Sequence, residues 1–199
     1  MKRRSVITTG LLIVGLTAFQ FSFEARQANP AAAGWTTLFD GKSLASFNTV
    51  GDANWQLMDG VVQANKGTGF LVTKNSYADF QLKVEFWVDD DANSGVFIRC
   101  ENPQQITAMN AYEVNIYDKR PDPTYGTGAI VDVAKPSTML KAGGKWNTYE
   151  ITAKGAHFEV TLNGTKTVDV QNMAHARGPI GLQYGAGVVK FRSVQIKTQ

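Results

Sequence analysis

Polar and apolar positions alternate along much of the chain. The alternation is most regular from Asp79 to Val88, where Phe80, Leu82, Val84, Phe86 and Val88 fall on one side and Gln81, Lys83, Glu85 and Trp87 on the other. A period of two is that of an antiparallel strand with one face buried and one in water. Two hairpins are marked by their turns. Residues 55–58 turn at Asp59-Gly60 into 61–64, and 157–162 turn at Asn163-Gly164 into 166–170. Asp-Gly and Asn-Gly supply the positive φ angles that two-residue β-turns need. Further strands are expected at 70–73, 95–100, 111–117, 146–153, 179–183 and 188–197. No amphipathic helix is expected beyond residue 33. Short strands separated by turn residues predict an all-β sandwich of two antiparallel sheets.

Composition agrees with this reading. Of 199 residues, 43% are hydrophobic and 19 are glycine, enough for a real core and many turns. No composition break or repeat follows residue 34, so 34–199 reads as one domain. The net charge of +3 is not spread evenly. Four of the 20 basic residues and one of the 17 acidic ones lie in 1–33, which leaves 16 of each in the remainder. A neutral domain gives no electrostatic case for nucleic acid or an anionic membrane. Residues 1–33 read as a signal peptide and short linker, with Lys2-Arg3-Arg4 ahead of an apolar run densest from Leu11 to Phe19. The expected location is therefore periplasmic or secreted. Counted from Val6 to Phe23 the run approaches bilayer length, so membrane association through an uncleaved leader stays open. Cys100 is the only cysteine, so no intrachain disulfide forms and stability must come from packing.

Candidate chemistry centres on the segment 111–118, Ala-Tyr-Glu-Val-Asn-Ile-Tyr-Asp. Strand alternation puts Glu113, Asn115 and Tyr117 on one face, a titratable acid with an amide and a phenol that can hydrogen-bond a polyol. A bend after the strand would bring Asp118 beside Glu113; a regular strand would point it away. Arg99, alternating with Phe97, is expected to orient a carboxylate or a sugar hydroxyl. Trp87, on the polar side of its strand, offers an apolar plate for a sugar ring. Asp89-Asp90-Asp91-Ala92-Asn93-Ser94-Gly95 spaces oxygen side chains as a calcium loop does, but Ser94 and Cys100 stand where an EF-hand needs glycine and glutamate. A looser calcium site in 89–95 is the one cofactor expectation; otherwise none is expected. Two histidines give no support for a zinc site, and no nucleophile elbow, Walker loop or dinucleotide fingerprint is present.

The chain also carries an ordered set of motifs: Leu38-Phe39-Asp40-Gly41-Lys42-Ser43-Leu44, then 55–61, 79–86, Asn93-Ser94-Gly95-Val96-Phe97-Ile98-Arg99, 112–118, Gly144-Lys145-Trp146-Asn147, Leu162-Asn163-Gly164 and 178–197. In this order they resemble the 3-keto-disaccharide hydrolase (3-keto-glucoside lyase/hydratase) domain family over nearly all of 35–199. The resemblance implies a concanavalin A-like jelly roll whose concave sheet receives a sugar, and an activity on glycosides or oligosaccharides oxidised at C3. Such chemistry needs a base for the C2 proton and a donor for the enolate oxygen. The expected assignment makes Glu113 the base, Arg99 the enolate or orienting group, Asp118 or Tyr117 an acid or ligand, and Asn115, Gln183, Tyr184 and Trp87 sugar contacts. One departure stands out. Many members carry histidine where this chain has Gly185, and Tyr184, with an ordinary pKa near 10, is a poorer base.

Two other readings fit the same fold. A non-catalytic glycan-binding module would show a shallow aromatic face. A laminarinase-like hydrolase resembles the chain at Glu113-x-Asn115-x-x-Asp118, but there a pair of working carboxylates is required, and the central acid here is an amide.

Overall fold

The computed structural model describes residues 34–199; the expected signal peptide lies outside the described residues. Among the described residues, thirteen strands form two antiparallel sheets, with one 3₁₀ turn at Pro123–Tyr125. The larger sheet holds β1 (Thr36–Phe39), β3 (Gln56–Met58), β4 (Val61–Ala64), β6 (Phe80–Val88), β9 (Trp146–Lys154), β10 (His157–Leu162), β11 (Thr165–Gln171) and β13 (Val189–Thr198). Its order is β11-β10-β9-β6-β13-β4-β3, with β1 also paired to β13. The smaller sheet runs β2 (Phe47–Gly51), β5 (Gly69–Thr73), β12 (Gly181–Tyr184), β7 (Ser94–Ile98), β8 (Tyr112–Ile116). The expected all-β sandwich is what forms.

Alternation sets the layers. In β6 the apolar row is fully buried and the polar row half-buried. Its Phe80, Leu82, Val84 and Phe86 pack across the gap on the inner row of the smaller sheet, which includes Leu182, Val96, Ile98, Tyr112 and Val114. Burying such side chains is worth roughly 1.5–3 kcal/mol each and supplies the stability a disulfide would otherwise add. Both predicted hairpins turn as read. Asp59 and Gly60 have φ of 49° and 78°, and Asn163 and Gly164 51° and 82°, the paired positive values of a type I′ turn.

Two strands, β1 and β2, are absent from the sequence reading. Each is short, and neither Thr-Thr-Leu-Phe nor Phe-Asn-Thr-Val-Gly runs long enough in regular alternation to stand out.

The outer face of the smaller sheet positions the candidate site. Cross-strand partners share a face, and the registers give two rows: Val72–Gly181–Phe97–Glu113, and Phe70–Gln183 on β5 and β12 followed by Gly95–Asn115 on β7 and β8. Part of this face is roofed by the 101–110 loop. Ile106 lies where a side chain on Gly181 would be, its Cδ1 3.2 Å from the place of the missing Cβ. With Val72, Phe97, Cys100 and Ala111 it makes a second small apolar cluster.

Candidate functional site

Glu113 leans over Gly95. A Cβ on that glycine would sit 3.3 Å from Glu113 Cγ and 3.4 Å from its Oε1, so the carboxyl occupies room that only glycine leaves free. The far edge of β8 is closed as well. Val131 N–H donates to Glu113 O, Asn115 N–H to Ala129 O, and Gly128 N–H to Asn115 O, which makes 128–131 an extra edge segment. Enclosed this way, the Glu113 carboxyl is pushed up to about 7, chiefly by burial; the Arg120 charge opposes the rise and Asp132 adds to it. An acid that titrates near neutrality is poised to take and return a proton.

Arg120 and Asp132 are the neighbours that sequence reading missed. Both lie in irregular segments where no period marks a face, and Asp132 is further hidden by its left-handed backbone (φ 59°). Arg120 lines a small pocket of about 90 Å³ with Tyr117, Thr127 and Leu140. Its Nε is buried and unpaired, as are Asn115 Oδ1 and Gln183 Oε1 on the same sheet face. Buried polar atoms without partners are costly and are found where a ligand or water completes the bonding.

Asn115 is fully buried, its Nδ2 donating to Tyr125 O and its carbonyl accepting from Tyr149 OH at 2.6 Å. It therefore pins the 123–129 segment against β8, and only its Oδ1 is left over.

Several expected site residues are placed elsewhere. Arg99 follows β7 with φ 54°, which breaks the strand alternation and turns its side chain away from Phe97's face. The guanidinium is 2% exposed and spans the sandwich end. Nε donates to Ala78 O at 2.9 Å, Nη1 to Gly155 O and His175 O, and Nη2 pairs with Asp79 at 3.2 Å, with the Phe158 ring beneath. Arg99 is a clasp between loops, not a partner of Glu113.

Asp118 also turns away. Its carboxylate accepts from Thr127 Oγ1, from Ala142 N–H and from Gly143 N–H, and so ties two loops together. Tyr184 points into the sandwich, where it packs edge-on to Trp55 and donates to Gly187 O. Trp87 is on the outer face of the larger sheet, paired across strands with Trp146 and capped by Lys190 at 4.7 Å. Alternation had separated its face correctly but did not say which sheet carried it.

The 89–95 loop spends its oxygens separately. Asp89 accepts from Asp91 N–H and Val188 N–H, Asp90 lies against Gly143, and Asp91 pairs with Lys119 at 2.6 Å. These carboxylates do not gather around one point. Gly185 has a structural reason of its own. Its N–H donates to Asn93 O, and a Cβ there would fall 2.9 Å from that same oxygen.

The family model for the 3-keto-alpha-glucoside-1,2-lyase-like domain matches residues 34–197. The chain belongs to this family. No curated protein matches the chain. Among solved structures, this lyase-like domain is similar to two proteins of Parabacteroides distasonis ATCC 8503 provisionally named glycosyl hydrolases. One is 22% identical with a TM-score of 0.74, covering 83% of this chain and 94% of that one. The other is 27% identical with a TM-score of 0.71, covering 83% and 99%. The carbohydrate-binding module CBM66 of Bacillus subtilis shares the fold at 18% identity and a TM-score of 0.60, covering 83% and 96%. The lyase-like domain is thus a carbohydrate-active type of domain on a lectin-like sandwich, and its family's motifs fall on both sheets, with Glu113 and Gly95 meeting in the smaller one.

Proposed function

We propose that the domain cleaves glycosides already oxidised to a ketone at C3, with Glu113 as the base, and that it does so in the periplasm or outside the cell. The observation that carries this reading is the Glu113 carboxyl, enclosed above Gly95, held near neutrality and accompanied by the unpaired Arg120 Nε. A C3 ketone acidifies the C2 proton. Glu113 removes that proton, the electron pair forms the C2–C3 enolate, and the negative charge collects on the ketone oxygen. Arg120 takes the role first expected of Arg99, as the cation whose charge acts on Glu113, and receives the oxyanion. Collapse of the enolate expels the C1 oxygen, which leaves protonated by solvent. Water then adds at C1 and the proton returns to C2, so the net change is hydrolysis. Gln183, on the same face, accepts a sugar hydroxyl.

The test is aglycone release from an alkyl glucoside and from its 3-keto form. Cleavage of the keto form alone, abolished in Glu113→Gln, is expected. Cleavage of the plain glucoside at the same rate, or binding of the keto form without turnover, overturns the reading.

A further inference from the structure

A second groove on the smaller sheet has no part in the chemistry above. It encloses about 360 Å³. Val72, Cys100, Gly178 and Pro179 form its buried floor, and Lys74, Arg177, Glu101, Gln104 and Asn48 stand on its rim. It lies on the same face as Glu113 but toward the other edge. Val72 belongs to the row that ends at Glu113, three strands away, or about 14 Å at the usual strand spacing. Between them, Ile106 and the edge-on pair Phe70 and Phe97 block the face.

The rim is unbalanced in charge. Neither Lys74 nor Arg177 has an acidic partner among the described residues. Arg177 donates only to Ser76 O, at 3.3 Å, which leaves most of its guanidinium fork free. Glu101 is turned to His175, whose Nδ1 is 3.1 Å from the carboxylate. Two free cations over a neutral floor suit a carboxylate, and a guanidinium beside an ammonium can hold one from two sides. The amides of Asn48 and Gln104 on the same rim suit hydroxyls.

We propose that this groove binds a uronic-acid residue, its carboxylate between Lys74 and Arg177 and its hydroxyls on Asn48 and Gln104. The choice of a sugar acid rests on the carbohydrate reading above; the demand for an anion does not. The groove lies apart from Glu113, so it holds a part of the glycan that is not cleaved.

The test is titration of the 34–199 domain within the full chain, followed by amide NMR, with methyl glucuronoside, its methyl ester and methyl glucoside. Expected is saturable binding of the glucuronoside at residues of the groove, at least tenfold tighter than the ester or the glucoside. Lys74→Ala with Arg177→Ala should remove that preference, and Glu113→Gln should leave it intact. The rim side chains are exposed, so the double variant should fold, which far-UV circular dichroism checks. Equal binding of acid and ester, equal binding of inorganic sulfate, or a preference that survives the double variant overturns the proposal. Loss of 3-keto-glucoside cleavage in Glu113→Gln with the uronate preference unchanged separates this site from the catalytic one.

Discussion

Glu113 and Gly95 are a matched pair: the carboxyl of one fills the space that the other leaves by having no side chain. Gly95 does not have a positive φ, so alanine is compatible with its backbone. The added methyl would meet Glu113 and Phe97 at 3.2–3.4 Å and push the carboxyl by a few tenths of an ångström. Gly95→Ala should therefore lower kcat/KM on a 3-keto-glucoside by about tenfold or more, since small misplacements of a catalytic group are expensive. Thermal unfolding should show stability within about 1 kcal/mol of the parent, because chain-entropy gain offsets the tight contact. An unchanged kcat/KM would remove the glycine from the site.

The acidity of Glu113 makes two linked expectations. Its folded-state value of about 7 lies above its ordinary 4.5, so the folded protein holds this proton more tightly than the unfolded chain does. The stability contributed by the protonated form is fully present below about pH 4.5 and is lost as the pH rises through 7. Glu113→Gln should accordingly stabilise the protein at pH 8, by up to about 3 kcal/mol, and make little difference at pH 4. Urea denaturation at the two values measures it. In the parent, kcat/KM should rise with pH through an apparent value near 7, as a base must be ionised to act.

Arg99 bonds three backbone carbonyls and Asp79 at once. Arg99→Met removes four donated bonds at once and leaves the buried His175 carbonyl without its partner. The expected cost is about 3 kcal/mol or more by urea unfolding. Arg99→Lys should recover little of it, since an ammonium cannot reproduce the planar fork. A variant of normal stability but no activity would put Arg99 back in the catalytic site.

At position 185 the backbone of Asn93 is too close for a side chain. Gly185→His should destabilise the domain by about 1–3 kcal/mol, the usual range for overpacking. It should not raise the rate on a 3-keto-glucoside. A faster enzyme would mean that the histidine expected at this position from the family resemblance is missing here at a catalytic cost.

How much of this could be read beforehand depends on periodicity. The β6 row and the two glycine-turn hairpins were legible because each states its geometry in a few residues. Glu113 and Asn115 were assigned to a common face for the same reason. Arg99 was misplaced because one left-handed residue reverses the direction in which a side chain leaves the strand, and nothing local announces it. Tyr184 failed differently: in the pairing of β12 with β5 it shares a row with Gly69, on the inner side, one residue out of phase with Gln183. Arg120 and Asp132 reach Glu113 from irregular segments, so only the folded chain shows them together.

The larger sheet has a further consequence for how the protein comes into being. β13, the last strand, lies in the interior of that sheet, between β6 and β4, and also receives β1. A polypeptide made from its amino end has every earlier strand in hand and still lacks the one that joins them. Such distant pairings close slowly. Until residues 189–198 arrive, the β11-β10-β9-β6 part of the larger sheet has nothing to join it to β4-β3 or to β1, so the sheet is completed only by its final strand.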